Sequence, residues 1–381
     1  MKTAVALVLM LVMLMLSASF SIAEEAESFT GSDEIITITA HDGISFDGRL
    51  RLPKDAESVE KLVIYVNSSG PHTYDDRRGD GTVDFRYHDL FAQEFNRRGI
   101  AYFSYNTRGC TPGGEAPNYT TIDDEAYQTY LPSNEIKDMV SILDRLKEEY
   151  ALANAKVYLF GLSAGSVVGP AAVLQENLDV EALLLAGYPN ISMADTVQWQ
   201  LSGGSSMVFY NQCFDTDGSG DVSQEEFEAD PYGVGAALSV DFESLDLNGD
   251  GTLTADDFHL MLTEWRESVL NAFENGDDAW LKENYPTYVT SAWYQDYKNI
   301  APNAETLPQL DLPIHIFHGL YDQNTNVQGV YDIQAAFEAL GKTNLTTHIY
   351  PADHDLNYML YVQTGEVPEP LAEVFDTVAG M

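Results

Sequence analysis

Two twelve-residue runs between Leu185 and Pro313 constrain this chain more than any other part of it. The first runs from Asp215 to Glu226 and the second from Asp246 to Asp257. Each carries oxygen-bearing residues at positions one, three, five, seven, nine and twelve, with Gly220 or Gly251 at six. That spacing wraps a hard cation such as calcium in oxygen, and the glycine makes the sharp turn. The first run offers Asp215, Asp217, Ser219, the Asp221 carbonyl, Ser223 and Glu226. The second offers Asp246, Asn248, Asp250, the Thr252 carbonyl, Thr254 and Asp257. Val222 and Leu253 hold position eight, where paired loops join in a short two-strand contact. Phe214, Phe227, Leu245 and Phe258 bracket the runs as packing residues. Asp257 is shorter than a glutamate and is expected to give the ion only one of its oxygens, so the second of the two calcium sites is expected to be the weaker or the more tolerant of magnesium.

The rest of the chain has another rhythm. Ile35–Thr39 and Ile44–Leu52 read as a hairpin around His41-Asp42-Gly43. Lys61–Val66, Ile100–Tyr105, Lys156–Phe160, Ala182–Ala186, Pro313–Phe317 and Thr347–Tyr350 read as strands. Between them, Tyr87–Arg98, Ser133–Tyr150, Ala164–Glu176 and Val327–Leu340 read as helices. The Ser133-Asn134-Glu135 run is expected to cap the second of these, with Ile136, Val140, Leu143 and Leu146 on its apolar face. Strands alternating with helices predict an α/β fold, a mainly parallel sheet with helices on both faces. Residues 191–308 break the rhythm with Asp, Glu and aromatics and carry the one internal repeat, the two loops at 215–226 and 246–257. Strand signals flank this segment, so it reads as an insertion into one core made of residues 24–190 and 309–381. Trp199, Phe209, Tyr210, Trp265, Trp280, Tyr285 and Trp293 give it either a core of its own or an apolar wall for a pocket.

Gly161-Leu162-Ser163-Ala164-Gly165 stands between an apolar strand and an Ala- and Val-rich helix. Small residues around a serine at such a turn let its hydroxyl project above the sheet, and the helix aims its amide dipoles at the same place. Here the chain resembles the α/β-hydrolase superfamily, over its whole mature length except the insertion. The run Pro313-Ile314-His315-Ile316-Phe317-His318-Gly319-Leu320-Tyr321-Asp322 resembles the family's strand leading to its acid. Tyr350-Pro351-Ala352-Asp353-His354 resembles its strand and histidine turn. The resemblance implies that Asp322 orients His354, which takes the proton from Ser163; a serine hydroxyl is a poor nucleophile without such a base. His318, His348 and His72 compete for the base, and Asp311 and Asp353 for the acid. The oxyanion hole is expected to use the amide of Ala164 and an amide of the loop after Lys61–Val66. That loop, Asn67-Ser68-Ser69-Gly70-Pro71-His72, resembles a His-Gly-Ser-Gly-Pro loop of esterase-like members, with Asn67 and Ser68 replacing the leading pair. Ser69 is the expected donor and Ser68 its rival. Arg108, in Tyr105-Asn106-Thr107-Arg108-Gly109, is expected to be structural.

The two acidic runs resemble an EF-hand pair, because Gln212-Cys213-Phe214 and Phe242-Glu243-Ser244-Leu245 look like the ends of entering helices. The second, ending in Asp, also resembles a dockerin repeat. Extracellular calcium is high enough to keep weak sites filled, so structure is expected rather than sensing. Lying inside an enzyme's insertion, the metal is expected to shape the wall of the active site.

Met1–Ala23 reads as an export signal peptide: Lys2, an apolar run from Ala4 to Leu16, then Ser21-Ile22-Ala23 before Glu24-Glu25. An uncleaved anchor is the alternative, but the run is short for a bilayer span. The mature chain is therefore expected to be secreted or held at the cell-envelope exterior or periplasm, with no stable membrane span. The net charge of −41 excludes nucleic acid as a partner. Cys110 and Cys213 are the only cysteines; they read equally as a disulfide tying the insertion to the core or as two free thiols. The whole predicts an exported serine hydrolase acting on a small-molecule or lipid-like ester. Peptidase or thioesterase chemistry on the same residues stays open, as does a non-catalytic calcium-dependent binding or assembly protein. No protein partner is indicated.

Overall fold

The computed structural model describes residues 31–381 other than Asn118. The signal peptide expected over 1–23 lies outside the described residues. Eight strands form one sheet: β1 (Ser32–Thr39), β2 (Ser45–Leu52), β3 (Lys61–Val66), β4 (Ala101–Tyr105), β5 (Lys156–Leu162), β6 (Ala182–Ala186), β7 (Ile314–Gly319) and β8 (Leu345–Tyr350). Their spatial order is β1-β2-β4-β3-β5-β6-β7-β8. β2 pairs antiparallel with β1 and with β4, and every pairing from β4 to β8 is parallel.

The central strands are apolar throughout because both faces are covered. Leu62, Ile64, Leu159, Leu183, Leu185 and Ile316 face a cluster shared with the helices Pro132–Lys147, Gly165–Glu176 and Gln328–Leu340. Val63, Tyr65, Tyr158, Phe160, Leu184 and Phe317 face the other, shared with Tyr87–Arg97 and Glu369–Gly380. The last of these helices was not anticipated; Pro370 lies in its first turn, where a missing N–H costs nothing.

The helix expected to start at Ser133 starts at Pro132 instead, with Leu131 before it and no side-chain cap. The proline supplies the helical φ at the first position, and the Ser133 amide is taken by Asp296 at 2.8 Å. Arg108 is structural as expected. Its Nε and Nη2 each donate to Asp138 at 2.6 Å, and its Nη1 donates to Asp42 at 2.6 Å, tying this helix to the β1–β2 turn.

Between β6 and β7 the regular structure is helical apart from two two-residue strands, Val222–Ser223 and Thr252–Leu253. Thr263–Asn275, Asp278–Asn284 and Ser291–Tyr297 join the main core through Val269, Phe273, Leu281, Trp293, Tyr294 and Tyr297. The acidic loops are different. They close a cluster of their own around Tyr210, Phe214, Phe227, Leu245 and Phe258. Val222 pairs with Leu253 across a two-strand contact, and both are fully buried. Tyr210 and Trp293 are buried and Trp265 packs on Trp280, so these aromatics serve packing first. Cys110 and Cys213 are free thiols. No disulfide joins insertion to core, because Cys110 belongs to the main cluster and Cys213 packs on the separate one. Among the described residues no helix is long and apolar enough to cross a membrane.

Candidate active site

Ser163 follows β5 at a turn with φ of +56°, a region a side chain enters at a cost of about 1–3 kcal/mol. Two sets of bonds hold it there. The Ser163 N–H donates to the Ala186 carbonyl at 2.9 Å, and the buried Ser166 hydroxyl lies 2.9 Å from the Gly161 carbonyl and 2.8 Å from that of Ala186. Gly165 must be glycine: a Cβ there would sit 2.1 Å from the Val66 carbonyl oxygen. That close approach brings the loop after β3 beside the serine turn.

Asp322, just past β7, is 1 % exposed. Its Oδ1 accepts from the amides of Asn324 at 2.7 Å and Thr325 at 2.9 Å. Its Oδ2 accepts from the Thr325 hydroxyl at 2.7 Å and from His354 Nδ1 at 2.8 Å. Burial works to raise the Asp322 pKa, but the His354 charge and these bonds bring it down to about 2. For His354, burial works to lower the pKa; the Asp322 charge and hydrogen bond, then Asp355 and Asp353, lift it to about 9. With Nδ1 engaged, Nε2 is the nitrogen left to move a proton. The ring lies against Gly187, where a Cβ would meet His354 Cε1 at 2.5 Å. Ser163 is bonded to Ala186, so serine and histidine share one spot at the end of β6. Ser163, Gly187, Asp322 and His354 thus follow the carboxyl ends of four neighbouring strands, where ligands bind in sheets of this kind.

The competing residues lie elsewhere or are already bonded. His318 is fully buried; its Nδ1 accepts from the Tyr188 amide at 3.1 Å and its Nε2 lies 3.2 Å from the Thr325 carbonyl. His348 stacks on Phe317 with ring centroids 4.6 Å apart. Asp311 is a surface partner of Lys342 at 2.9 Å, and Asp353 accepts from the Asn357 amide at 2.7 Å. His72 lies in the loop after β3, 3.3 Å from Asp76. The N–H groups of Ala164, Ser68 and Ser69 have no protein acceptor among the described residues. Gly187 was not singled out from sequence, although a glycine directly after an apolar strand was the available signal.

The insertion reaches this edge twice. A Cβ on Gly70 would meet Thr287 Cγ2 at 2.9 Å, and the Tyr127 hydroxyl donates to the Tyr288 carbonyl at 2.7 Å, so Thr287 and Tyr288 cover the loop after β3. Gln200 Nε2 donates to the Asn324 carbonyl at 2.6 Å, beside the acid.

In the first acidic loop the ligand oxygens of Asp215, Asp217 and Glu226 lie within 4.8 Å of one another. Hydrogen bonds from the Ser223 amide and hydroxyl, then the Thr216 amide, bring the Glu226 pKa down to about 2. These ionised oxygens fit a hard cation. In the second loop Asn248 replaces one carboxylate, and Asp257 is fully buried. Its Oδ1 still accepts from Leu247 and Asn248 at 3.0 and 3.1 Å, as Glu226 Oε1 does from Thr216 and Asp217 at 2.9 and 3.3 Å. The sequence profile described as EF hand matches residues 212–229 and 240–262.

The chain has the α/β-hydrolase fold, with an EF-hand pair inserted.

Among solved structures, the chain is similar to a lipase in its open form, at 16 % identity over 92 % of this chain and 97 % of that one, with a TM-score of 0.46. It is similar to a Pyrococcus furiosus esterase at 12 % identity over 95 % of each chain, with a TM-score of 0.48. It is also similar to brefeldin A esterase, a bacterial homologue of human hormone-sensitive lipase, at 15 % identity over 100 % and 84 % with a TM-score of 0.49. No curated protein matches the sequence.

Proposed function

We propose that this chain is an exported serine hydrolase that cleaves carboxylic esters, with calcium ordering its EF-hand pair. The observation that carries the reading is the His354 Nδ1–Asp322 Oδ2 bond of 2.8 Å, with the ring against Gly187, next to the Ala186 carbonyl that accepts from the Ser163 N–H. In this mechanism Ser163 Oγ attacks the ester carbonyl while His354 Nε2 takes its proton. The developing oxyanion meets the N–H groups of Ala164 and Ser69. His354 returns the proton to the leaving alcohol, and water then releases the acid by the same steps in reverse. Asp322 holds the ring in the tautomer that leaves Nε2 facing the serine.

The experiment is turnover of chromogenic acyl esters of graded chain length by the mature protein and by Ser163→Ala. Loss of turnover in a variant that melts like the parent supports the assignment. Undiminished turnover would sink it. Activity confined to amides or thioesters would move the substrate class and keep the residues. An inert Ser163, together with a partner captured only in calcium, would favour the binding-protein reading suggested by the self-contained core of the pair.

For the metal, Asp215, Asp217, Ser219, the Asp221 carbonyl, Ser223 and Glu226 would hold the first ion. Asp246, Asn248, Asp250, the Thr252 carbonyl, Thr254 and Asp257 would hold a second, weaker one. Bound calcium would offset the repulsion of the clustered carboxylates and stabilise the pair.

A further inference from the structure

We propose that Tyr130 and His72 grip the Ser68–Gly70 turn from opposite sides and thereby aim the Ser69 N–H into the site as the second oxyanion donor. This rests on the hydrolase reading above. In a trans peptide the C=O and N–H point in opposite directions, and the one cis bond in the described chain is Ala116–Pro117. The buried Tyr130 hydroxyl lies 3.4 Å from the Ser68 carbonyl oxygen, to which it donates, and accepts from the Gly70 N–H at 3.2 Å. With the Ser68 carbonyl turned toward Tyr130, the Ser69 N–H points away from it. With the Gly70 N–H turned toward Tyr130, the Ser69 carbonyl points away as well.

On that far side the second contact is where the geometry requires it. His72 Nε2 lies 3.0 Å from the Ser69 carbonyl oxygen and 2.9 Å from the Ser68 hydroxyl. The ring is seated in turn. Its Nδ1 is 3.3 Å from Asp76 Oδ2, which also accepts from Arg78 Nη2 at 2.7 Å and Nε at 3.2 Å. Arg78 Nη1 lies 3.6 Å from Asp355, the residue after His354, so one cation ties the turn to the histidine loop. Tyr130 holds both peptide planes and His72 holds the second from the other side, and all three contacts agree on one orientation for Ser69. Ser68, the rival donor, is engaged instead through its carbonyl and hydroxyl. Tyr130 and His72 are positioning residues: neither needs to touch substrate.

The test compares Tyr130→Phe, His72→Ala and His72→Gln with the parent, in kcat and KM on a chromogenic acyl ester. The rate of Ser163 labelling by an aryl fluorophosphonate and the melting temperature are read alongside. The expected result is a fall in kcat of about 10- to 100-fold for Tyr130→Phe and His72→Ala, because a donor misplaced by about 1 Å loses most of its effect. KM should hold within about twofold, and labelling should slow in parallel. His72→Gln keeps an N–H near the Nε2 position and should recover part of the loss. Parental kcat in folded Tyr130→Phe and His72→Ala overturns the clamp and leaves the hydrolase standing. A loss that tracks the folded fraction, with no rescue by glutamine, overturns it too. A parent that neither turns over any ester nor takes the fluorophosphonate overturns the hydrolase reading, and the clamp falls with it.

Discussion

Replacing Gly187 with alanine should disable the candidate base without touching any residue that carries the chemistry. An alanine Cβ would stand 2.5 Å from His354 Cε1, 2.7 Å from Nδ1 and 3.2 Å from Nε2. Carbon atoms rest about 3.5–4.0 Å apart, so the ring must retreat by about 1 Å. A retreat of that size carries the 2.8 Å Nδ1–Asp322 bond toward the roughly 3.5 Å limit beyond which it no longer counts as one. A displacement of about 1 Å in a positioned group is worth about 10²-fold in rate, or about 2.7 kcal/mol of barrier. The backbone adds its own cost, since φ at Gly187 is +51° and a side chain there costs about 1–2 kcal/mol. Gly276→Ala separates the two effects. Its φ is +75°, but a Cβ would find nothing nearer than Ser291 Oγ at 3.9 Å. The assay is kcat/KM on an acyl ester beside urea unfolding of both variants. Both should lose about 1–2 kcal/mol of stability from the backbone alone, and only Gly187→Ala should lose about two decades of turnover. Full turnover in folded Gly187→Ala would show that His354, where it lies against Gly187, is not the base.

The pH profile follows from the His354–Asp322 pair. The base must be neutral and its pKa is lifted to about 9, so kcat/KM should rise with pH through that region; in Asp322→Asn, which removes the main lifting charge, the rise should move toward lower pH. Arg108→Ala should cost about 3–5 kcal/mol in urea unfolding, because it strips a buried carboxylate, Asp138, of both its bonds; a loss under 1 kcal/mol would show the pair is not structural. Chelation should lower the melting temperature, by the equivalent of about 2.7 kcal/mol if calcium stood at about 100 times its dissociation constant, and Glu226→Gln should remove part of that gain beforehand; identical melts with and without chelator would mean that the loops hold no metal. If chelation also lowers ester turnover in the parent, Gln200→Ala should blunt that response, read as the ratio of kcat/KM with and without chelator.

What could be read from the sequence divides along physical lines. All eight sheet strands were legible: the central ones because strands buried on two faces are written as apolar runs such as Leu183-Leu184-Leu185, and β1 and β2 as a hairpin around His41-Asp42-Gly43. Ser163, Asp322 and His354 were singled out by their place after a strand, and the structure sets all three at one sheet edge. The start of the Pro132–Lys147 helix was misread because Ser133 looks like a cap, while Pro132 sets the turn and Asp296, far along the chain, takes the Ser133 amide. Tyr130 carried no local signal. Its hydroxyl matters only because folding sets it beside Ser68 and Gly70, and nothing in Thr129-Tyr130-Leu131 announces that neighbour. His72 was weighed as a base and lies instead beside the turn, a role visible only once Asp76 and Ser69 surround its ring.

The two EF-hand loops were legible as loops, but their relation to the candidate active site was not. An insertion holding both metal loops and aromatics suggests one body whose metals shape the pocket wall. The burial pattern divides it. The helices that reach the main core are Met193–Leu201, before the first loop, and those after the second, and the residues over Gly70 are Thr287 and Tyr288, while the EF-hand pair has a separate core. Any influence of the metal on the acid must therefore pass through the joints between these bodies. One joint is tight. A Cβ on Gly203 would lie 2.6 Å from the Ala255 carbonyl and 2.7 Å from Phe258 Cβ, in the helix that also holds Asp257. Three residues before Gly203, Gln200 donates to the Asn324 carbonyl, and the Asn324 amide donates to Asp322 at 2.7 Å. Packing of this density passes on small shifts rather than absorbing them. The second loop, although it is the poorer in carboxylates, therefore has the shorter route to Asp322, while the first gathers the ligand oxygens of Asp215, Asp217 and Glu226 within 4.8 Å of one another.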